Sequence, residues 1–331
     1  MFERLFIEFS IVMVSSFLLT AILSHFIIPI LRKKHIGQSI RIEGPSWHQG
    51  KAGTPTMGGI CFIIAMIVVG IIITVWCVYH NGEDMMPFVM AMLLALLNGI
   101  IGLFDDYCKL LKKQNEGLKA HQKFFLQCLT AAAYVYMITI LGDINTVVHI
   151  PFTHIYVELG ILYYVFAILT IVGMVNSVNL TDGLDGLASS ITFVVACFFS
   201  VVAFTLLNTS LAIFSALIVG AMVGFLIFNR HPAKVFMGDT GSLFLGGAVT
   251  GAAFMINEPL IIFIAGGVFL FEVVSVMLQV WSFKTRSKRI FLMTPAHHHL
   301  EKCGWSENKI VIVFSVITAL LCVISYFGIT M

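Results

Sequence analysis

Charge is scarce in this sequence. Of 331 residues only 19 are Lys or Arg and 17 are Asp or Glu, 11% in all, while 59% are hydrophobic. A soluble domain carries about 25% charged residues, so a water-covered globule is excluded, and a mean hydropathy of +0.99 agrees. The net charge is only +2, and its basic residues are interrupted by apolar runs. No continuous basic surface results, which excludes a nucleic-acid partner. Cysteine is sparse and scattered: seven residues without a CxxC pair give neither a zinc ribbon nor a disulfide framework. Soluble domains, low-complexity linkers and internal repeats are also lacking. A cleavable leader is not expected, because Glu3 and Glu8 outweigh Arg4 and no small-residue cleavage site follows.

What the chain does have is apolar runs, at 6–31, 57–79, 87–104, 122–141, 158–178, 185–207, 210–228, 241–256, 260–281 and 310–328. Each is close to the ~20 residues that cross a bilayer core. The shortest, 241–256, suits a tilted helix or a re-entrant one under protein cover. Basic residues then sort by side. Arg32, Lys33, Lys34, Arg41 and Lys51 follow the first run, and Lys109, Lys112, Lys113, Lys119 and Lys123 follow the third. Arg230 and Lys234 follow the seventh, and Lys284, Arg286, Lys288, Arg289, Lys302 and Lys309 the ninth. Only Arg4 lies opposite, among loops that carry Glu83, Asp84, Asp143, Glu158 and Glu258. The positive-inside rule makes the basic loops cytoplasmic and both termini external. The expected fold is an all-α integral membrane protein of ten transmembrane helices, a single domain over 1–331. Its site is expected on the cytoplasmic face, where the longer loops 32–56, 105–121, 229–240 and 282–309 gather the unusual polar residues.

Five motifs carry chemistry. Asp105 and Asp106 end the third run, where two adjacent carboxylates are costly unless paired or bound to a cation. An ordinary helix terminus does not account for them, since acids suit the opposite end of a helix. Asp239 lies between Gly238 and Gly241, before the eighth run. It reads either as an N-cap or as an oxygen ligand for Mg²⁺, with the acid pair as partners if runs three and eight are neighbours. Asn176, Asn179, Asp182 and Asp185 recur every three residues, near one helical face although Gly183 and Gly186 suggest a break. They read either as a capped helix–turn–helix connection or as donors and acceptors for a nucleobase edge or a ribose, and four in ten residues exceed what capping needs. His297, His298 and His299 are consecutive, so their side chains diverge, and a phosphate- or sugar-binding loop fits better than zinc. Lys51 through Gly59 suits an anion cradle or a flexible helix entry equally well. Glu272, near mid-membrane in the ninth run, is ionisable and has no evident assignment.

The segments GTPTMGG at 53–59, GLFDDYCK at 102–109, NSVNLTDGLDG at 176–186, FNRHPAKVFMGDTGSL at 228–243, SVMLQ at 275–279 and TPAHHHLE at 294–301 resemble those of the polyprenyl-phosphate N-acetylhexosamine-1-phosphate transferases, over essentially the whole chain. PAHHHLE and TPTMGG favour the muramoyl-pentapeptide branch over the N-acetylglucosamine branch. The resemblance implies a bacterial plasma-membrane enzyme that takes UDP-N-acetylmuramoyl-pentapeptide and undecaprenyl phosphate, with Mg²⁺ as cofactor. It implies catalytic Asp105, Asp106 and Asp239, the last holding the metal. The substrate residues it implies are Lys51, Thr56, Lys109, Lys113, Lys123, Asn176, Asn179, Asp182, Asp185, Asn229, Phe236 and Gln279; the three histidines join them from their own pattern. Lys109 stands where some relatives have the last acid of a DDxxD pattern, so a double-aspartate metal cage is not implied. One-step transfer and a covalent aspartyl-phosphate route stay open at this stage, as does a homodimer. A secondary transporter is the alternative from another class. It is disfavoured because the acids other than Glu272 sit at one face rather than at the midplane.

Overall fold

Large apolar side chains face outward in this protein. In the computed structural model, which describes residues 2–33, 53–112, 117–141 and 146–331, Phe6, Ile7, Ile11, Ile22 and Phe26 of the first helix are all more than half exposed. A soluble protein rarely leaves such a face uncovered; hydrocarbon is its natural solvent. The inward stripe of the same helix, α1 (Phe2–Lys33), is small and polar, with Glu8, Ser16, Thr20 and Ser24 buried. It packs on α7, where the Ser16 hydroxyl donates to the Leu217 carbonyl at 2.8 Å. Small residues that let two backbones approach are how helices associate in lipid, where burial offers no hydrophobic gain.

The other helices are α2 (Gly59–Trp76, continued by a wider turn to Asn81), α3 (Met86–Lys112), α4 (Ala120–Leu141), α5 (Leu162–Thr181), α6 (Leu187–Leu206), α7 (Thr209–Asn229), α8 (Gly238–Met255), α9 (Ile261–Ala265), α10 (Gly267–Arg286), α11 (Ala296–Lys302) and α12 (Glu307–Thr330). Among the described residues nine are long and apolar enough to cross a membrane. The tenth expected span coincides with α8, which falls short in apolarity. The reason is visible in its surroundings. Every α8 residue from Thr240 to Phe254 is buried, behind α3, α5, α2 and α6. A helix that never meets lipid need not be apolar all round.

Two further departures from the sequence expectations stand out. An all-α fold was expected, yet the chain between α4 and α5 contains a small antiparallel hairpin, β1 (Val147–His149) paired with β2 (Tyr156–Glu158), Val148 opposite Val157. His149 clasps the hairpin to the turn after α8: its Nδ1 lies 3.0 Å from Glu258 and its Nε2 2.7 Å from the Thr153 carbonyl. Burial opposes charging His149, but the Thr153 and Glu258 oxygens outweigh it and raise its pKa. The histidine run, expected as a loop, forms the short helix α11.

The ninth run breaks at Gly266, between α9 and α10. On α10 the polar residues Glu272, Ser275, Gln279 and Ser282 follow a 3-4-3 spacing, which puts them on one helical face. The chain beyond α10 turns back along that face. Ser282 donates to the Lys288 carbonyl, and the Gln279 amide bonds Ile290 and Phe291. The Glu272 carboxylate receives the His297 N–H at 3.2 Å. Arg4, the one basic residue on the acidic side, is ion-paired with Glu83 and lies 3.8 Å from Glu8.

Candidate active site

The α3–α8 interface is the most extensive in the bundle, and its tightest point builds the site. A Cβ added at Gly102 would lie 2.1 Å from the Asp239 carbonyl oxygen. Only glycine lets α3 come close enough for Asp106, one turn on, to meet the start of α8. The Asp106 carboxylate accepts the Asp239 N–H (3.2 Å), the Thr240 N–H (2.9 Å) and the Thr240 hydroxyl (2.7 Å). It thus satisfies free amides of the first turn of α8 and its positive dipole end. The sequence alternative that made Asp239 the N-cap is replaced: Asp106, from another helix, does the capping and leaves the Asp239 side chain free for other partners.

Those partners are cationic. Lys109 Nζ lies 2.7 Å from Asp105, 3.0 Å from Asp239 and 3.6 Å from Asp106. Lys123, from α4, reaches the same Asp239 oxygen at 2.8 Å. The other oxygen accepts from Asn179 Nδ2 at 2.9 Å, and that amide also bonds the Ser242 hydroxyl. Asp105 accepts the Leu118 N–H at 2.8 Å. Asp105 and Asp106 are 3% exposed, whereas Asp239 opens partly to the surface. One carboxylate oxygen from each of the three lies within 4.8 Å of the others. Hard oxygen donors in that number suit a divalent cation such as Mg²⁺.

The four-residue Asn/Asp series straddles a helix end. Asn176 and Asn179 belong to α5, while Asp182 and Asp185 lie on the turn that follows, closed by Gly186 at φ +75°. Asn176 donates to Gln127 at 2.7 Å. Asp182 is pushed well above the usual carboxylate range, by burial first and then by the charges of Asp239, Asp106 and Asp185. Buried Asp185 accepts from the Ala233 N–H at 3.0 Å and pairs with His231 Nδ1 at 2.9 Å, and its own N–H bonds Glu307 at 3.3 Å. Asn229 donates to the Val235 carbonyl and accepts from Ser189. These bonds fix the turn from which half-buried Phe236 emerges, itself tied by its N–H to the Pro55 carbonyl at 2.8 Å. Thr56 lies close by, its hydroxyl 2.9 Å from where a Gly238 Cβ would be.

Asp105, Asp106, Asp239, Lys109, Lys123 and Asn179 are therefore one connected cluster, with Asp182, Asp185 and Phe236 on the loops beside it and Asn229 at the end of α7. The Gln279 amide is engaged with the 290–291 backbone. The histidines diverge: His297 is fully buried against Glu272, His298 bonds Glu301 at 2.7 Å, and His299 accepts the Leu292 N–H. Lys51 and Lys113 lie outside the described residues. Sequence reasoning left Gln127, His231 and Glu307 unassigned. Gln127 had a signal, because it follows Lys123 by four residues on α4 and shares its face. His231 and Glu307 had none, since neither spacing nor composition links them to Asp185.

A family model described as glycosyl transferase family 4 matches residues 88–257, and a signature described as phospho-N-acetylmuramoyl-pentapeptide-transferase signature 1 matches residues 51–63. Proteins named phospho-N-acetylmuramoyl-pentapeptide-transferase are similar along almost the whole chain. The one from Clostridium novyi (strain NT) is 45% identical over 94% of this chain and 94% of its own. Those from Clostridium perfringens (strain 13 / Type A) and Bacillus thuringiensis (strain Al Hakam) are each 45% identical, covering 95% and 96% of this chain and 96% of each relative. The family model spans the α3–α8 core that carries the acid cluster, and the signature spans the entry to α2, so the chain belongs to glycosyl transferase family 4, among its phospho-N-acetylmuramoyl-pentapeptide-transferases.

Proposed function

We propose that the chain transfers phospho-N-acetylmuramoyl-pentapeptide from its UDP carrier to undecaprenyl phosphate, forming lipid I and UMP for peptidoglycan synthesis. The observation that supports this most directly is the cluster itself: three carboxylates and two lysines converge where α3 nears its end and α4 and α8 begin. One substrate is a water-soluble polyanion and the other a lipid, so a site at helix ends serves both. In this reading α8 is a tenth crossing shielded by the others, both termini lie outside, and the enzyme is a single multi-pass domain of the bacterial plasma membrane.

An oxygen of the acceptor phosphate attacks the sugar-bearing β-phosphorus, and UMP departs with the electron pair of the broken phosphoanhydride bond. Such a transfer is accelerated mainly by positioning and by neutralising charge. Lys109 and Lys123 provide two ammonium groups at the cluster, poised for phosphate oxygens; Lys113 and Lys51 are assigned to the same task. Asp105 orients the acceptor or takes its remaining proton, a modest demand because a phosphomonoester's second pKa is near 6. Asp106 acts by holding α8 and hence Asp239. Mg²⁺ fits the oxygen donors of Asp239 and its two neighbours, and when bound it would neutralise pyrophosphate charge. Asn176, Asn179, Asp182, Asp185 and Asn229 form the nucleoside side, with Phe236 placed to stack on uracil and Thr56 at its edge. Gln279 and the histidines support the pocket from α10 and α11.

UMP release by the detergent-purified protein tests the reading. Release should require Mg²⁺, undecaprenyl phosphate and the muramoyl-pentapeptide donor, and should vanish in Asp239→Ala. Release from UDP-N-acetylglucosamine instead would move the chain to the other branch of the chemistry, and release from neither donor would overturn the assignment.

A further inference from the structure

Glu272 is fully buried in α10, and none of the groups of the acid cluster contacts it. Its contacts are with His297. The carboxylate accepts the His297 backbone N–H at 3.2 and 3.4 Å, and Oε2 lies 3.2 Å from the ring Nδ1 without the alignment of a hydrogen bond. His297 is likewise 0% exposed, and its Nε2 has no hydrogen-bond partner. That nitrogen faces the donor loop: a Cβ placed on Gly183 would lie 2.2 Å from it. Gly183 sits between Asp182 and Leu184, two residues before Asp185.

Each half of this arrangement is costly alone. A buried carboxylate needs a compensating partner, and a buried imidazole with an unpaired nitrogen calls for an explanation. Packing alone does not require either, since an apolar pair of similar volume would fill the space without the desolvation penalty. The polar stripe of α10 ties the returning chain at Ser282, Gln279 and Glu272 in turn, and the last tie seats the imidazole on the loop.

We propose that Glu272 is a positioning residue for the donor loop: through its hold on His297 it presses the imidazole onto Gly183 and thereby fixes where Asp182 and Asp185 stand. The consequence for the donor rests on the function proposed above; the mechanical link between Glu272 and residues 182–185 does not.

Two readouts on the purified full chain keep these apart. In hydrogen–deuterium exchange, Glu272→Ala and His297→Ala should each raise exchange over 180–187 while leaving α3 as in the parent, whichever donor the enzyme uses. In steady-state assays, Glu272→Ala should raise the donor KM about tenfold or more, as expected for a sub-ångström to 1 Å misplacement of a binding loop. The KM for undecaprenyl phosphate should not move. Glu272→Gln keeps an acceptor for the His297 N–H and should restore the donor KM to within about threefold of the parent. If Glu272→Ala does not fold, Glu272→Asp withdraws the acceptor by one methylene and should show both effects in milder form. Unchanged exchange over 180–187 in a folded variant overturns the proposal, as does an equal rise in both KM values, which a merely structural role would give. Failure of the parent to use the muramoyl donor would instead refute the assigned function and leave the exchange result standing on its own.

Discussion

Replacing Gly102 by alanine tests whether the tight α3–α8 contact is what builds the site. The added Cβ would lie 2.1 Å from the Asp239 carbonyl oxygen, 2.4 Å from its carbon and 2.7 Å from Thr240 N. Ordinary contact begins near 3.4 Å, and all three atoms are backbone, so no side chain can swing aside. The two helices must separate by about 1 Å, an overpacking strain of about 1–3 kcal/mol. The same shift stretches the hydrogen bonds from Asp239 and Thr240 to Asp106 and moves Asp239 away from Lys109. A displacement of about 1 Å at reacting groups costs on the order of 100-fold in rate. Gly102→Ala is therefore expected to lose about 100-fold in kcat for UMP release while remaining folded, with the melting temperature lowered by a few degrees. Gly173→Ala is the matched comparison: it lies on α5 one turn before Asn176, and its new Cβ meets nothing within 4 Å. It should keep full activity. A Gly102→Ala enzyme with parental kcat would refute the reasoning, because it would show that Asp239 need not be held at this distance from α3.

Other substitutions separate the roles of the acids. Asp182, with its pKa raised, is expected to serve as a neutral hydrogen-bonding group, so Asp182→Asn should retain much of the donor affinity in a nucleotide-binding titration while Asp182→Ala loses it; equal losses would mean the charge is needed. Lys123→Met removes one of the two cations on Asp239 and should raise the donor concentration required in the UMP assay at least about tenfold, consistent with loss of a charge-assisted contact to phosphate. In the β1–β2 hairpin, His149 has a raised pKa, so its contribution to stability is complete below about pH 6.5 and is lost as the pH climbs past the raised value. Thermal unfolding in detergent should show His149→Ala less stable than the parent at pH 6, with the gap closing as the pH rises toward 9.

Much of the fold was legible because lipid imposes simple rules. Apolar runs of near-constant length needed no knowledge of contacts, and most of the helices follow them within a few residues. α8 shows where those rules stop. Its interior position relaxes the demand for apolar residues, and hydropathy measures exposure to lipid rather than burial in protein. The hairpin at 147–158 was missed for a related reason: three-residue strands, held by His149, Glu258 and the α12 end, depend on tertiary partners rather than on their own periodicity. For the site, adjacency of runs three and eight was the one inference that topology alone could not supply, and the close approach at Gly102 supplied it. Gln279 shows what sequence could not give: its amide bonds the backbone of the chain folding back over α10, a partner that only the fold reveals.

The ionic balance of the cluster explains why these particular groups stand together. Asp105, Asp106 and Asp239 bring three carboxylates, and Lys109 and Lys123 bring two ammonium groups, both bonded to a single Asp239 oxygen. Near balance offsets the repulsion of three gathered carboxylates, while Asp106 stays bound to the start of α8. The two lysines nevertheless sit on flexible stems, and their side chains are only partly buried, so they can leave Asp239 for incoming phosphate oxygens. Asp106 cannot move, because three donors from Asp239 and Thr240 hold it. The cluster thus pairs one acid that is fixed as architecture with one whose partners are exchangeable. Removing Asp106 should cost folding of the α8 end as well as turnover, whereas removing Asp239 should cost turnover with the fold intact. A comparison of the melting temperatures of Asp106→Ala and Asp239→Ala, expected to be lower in the former, decides whether that division of labour is real.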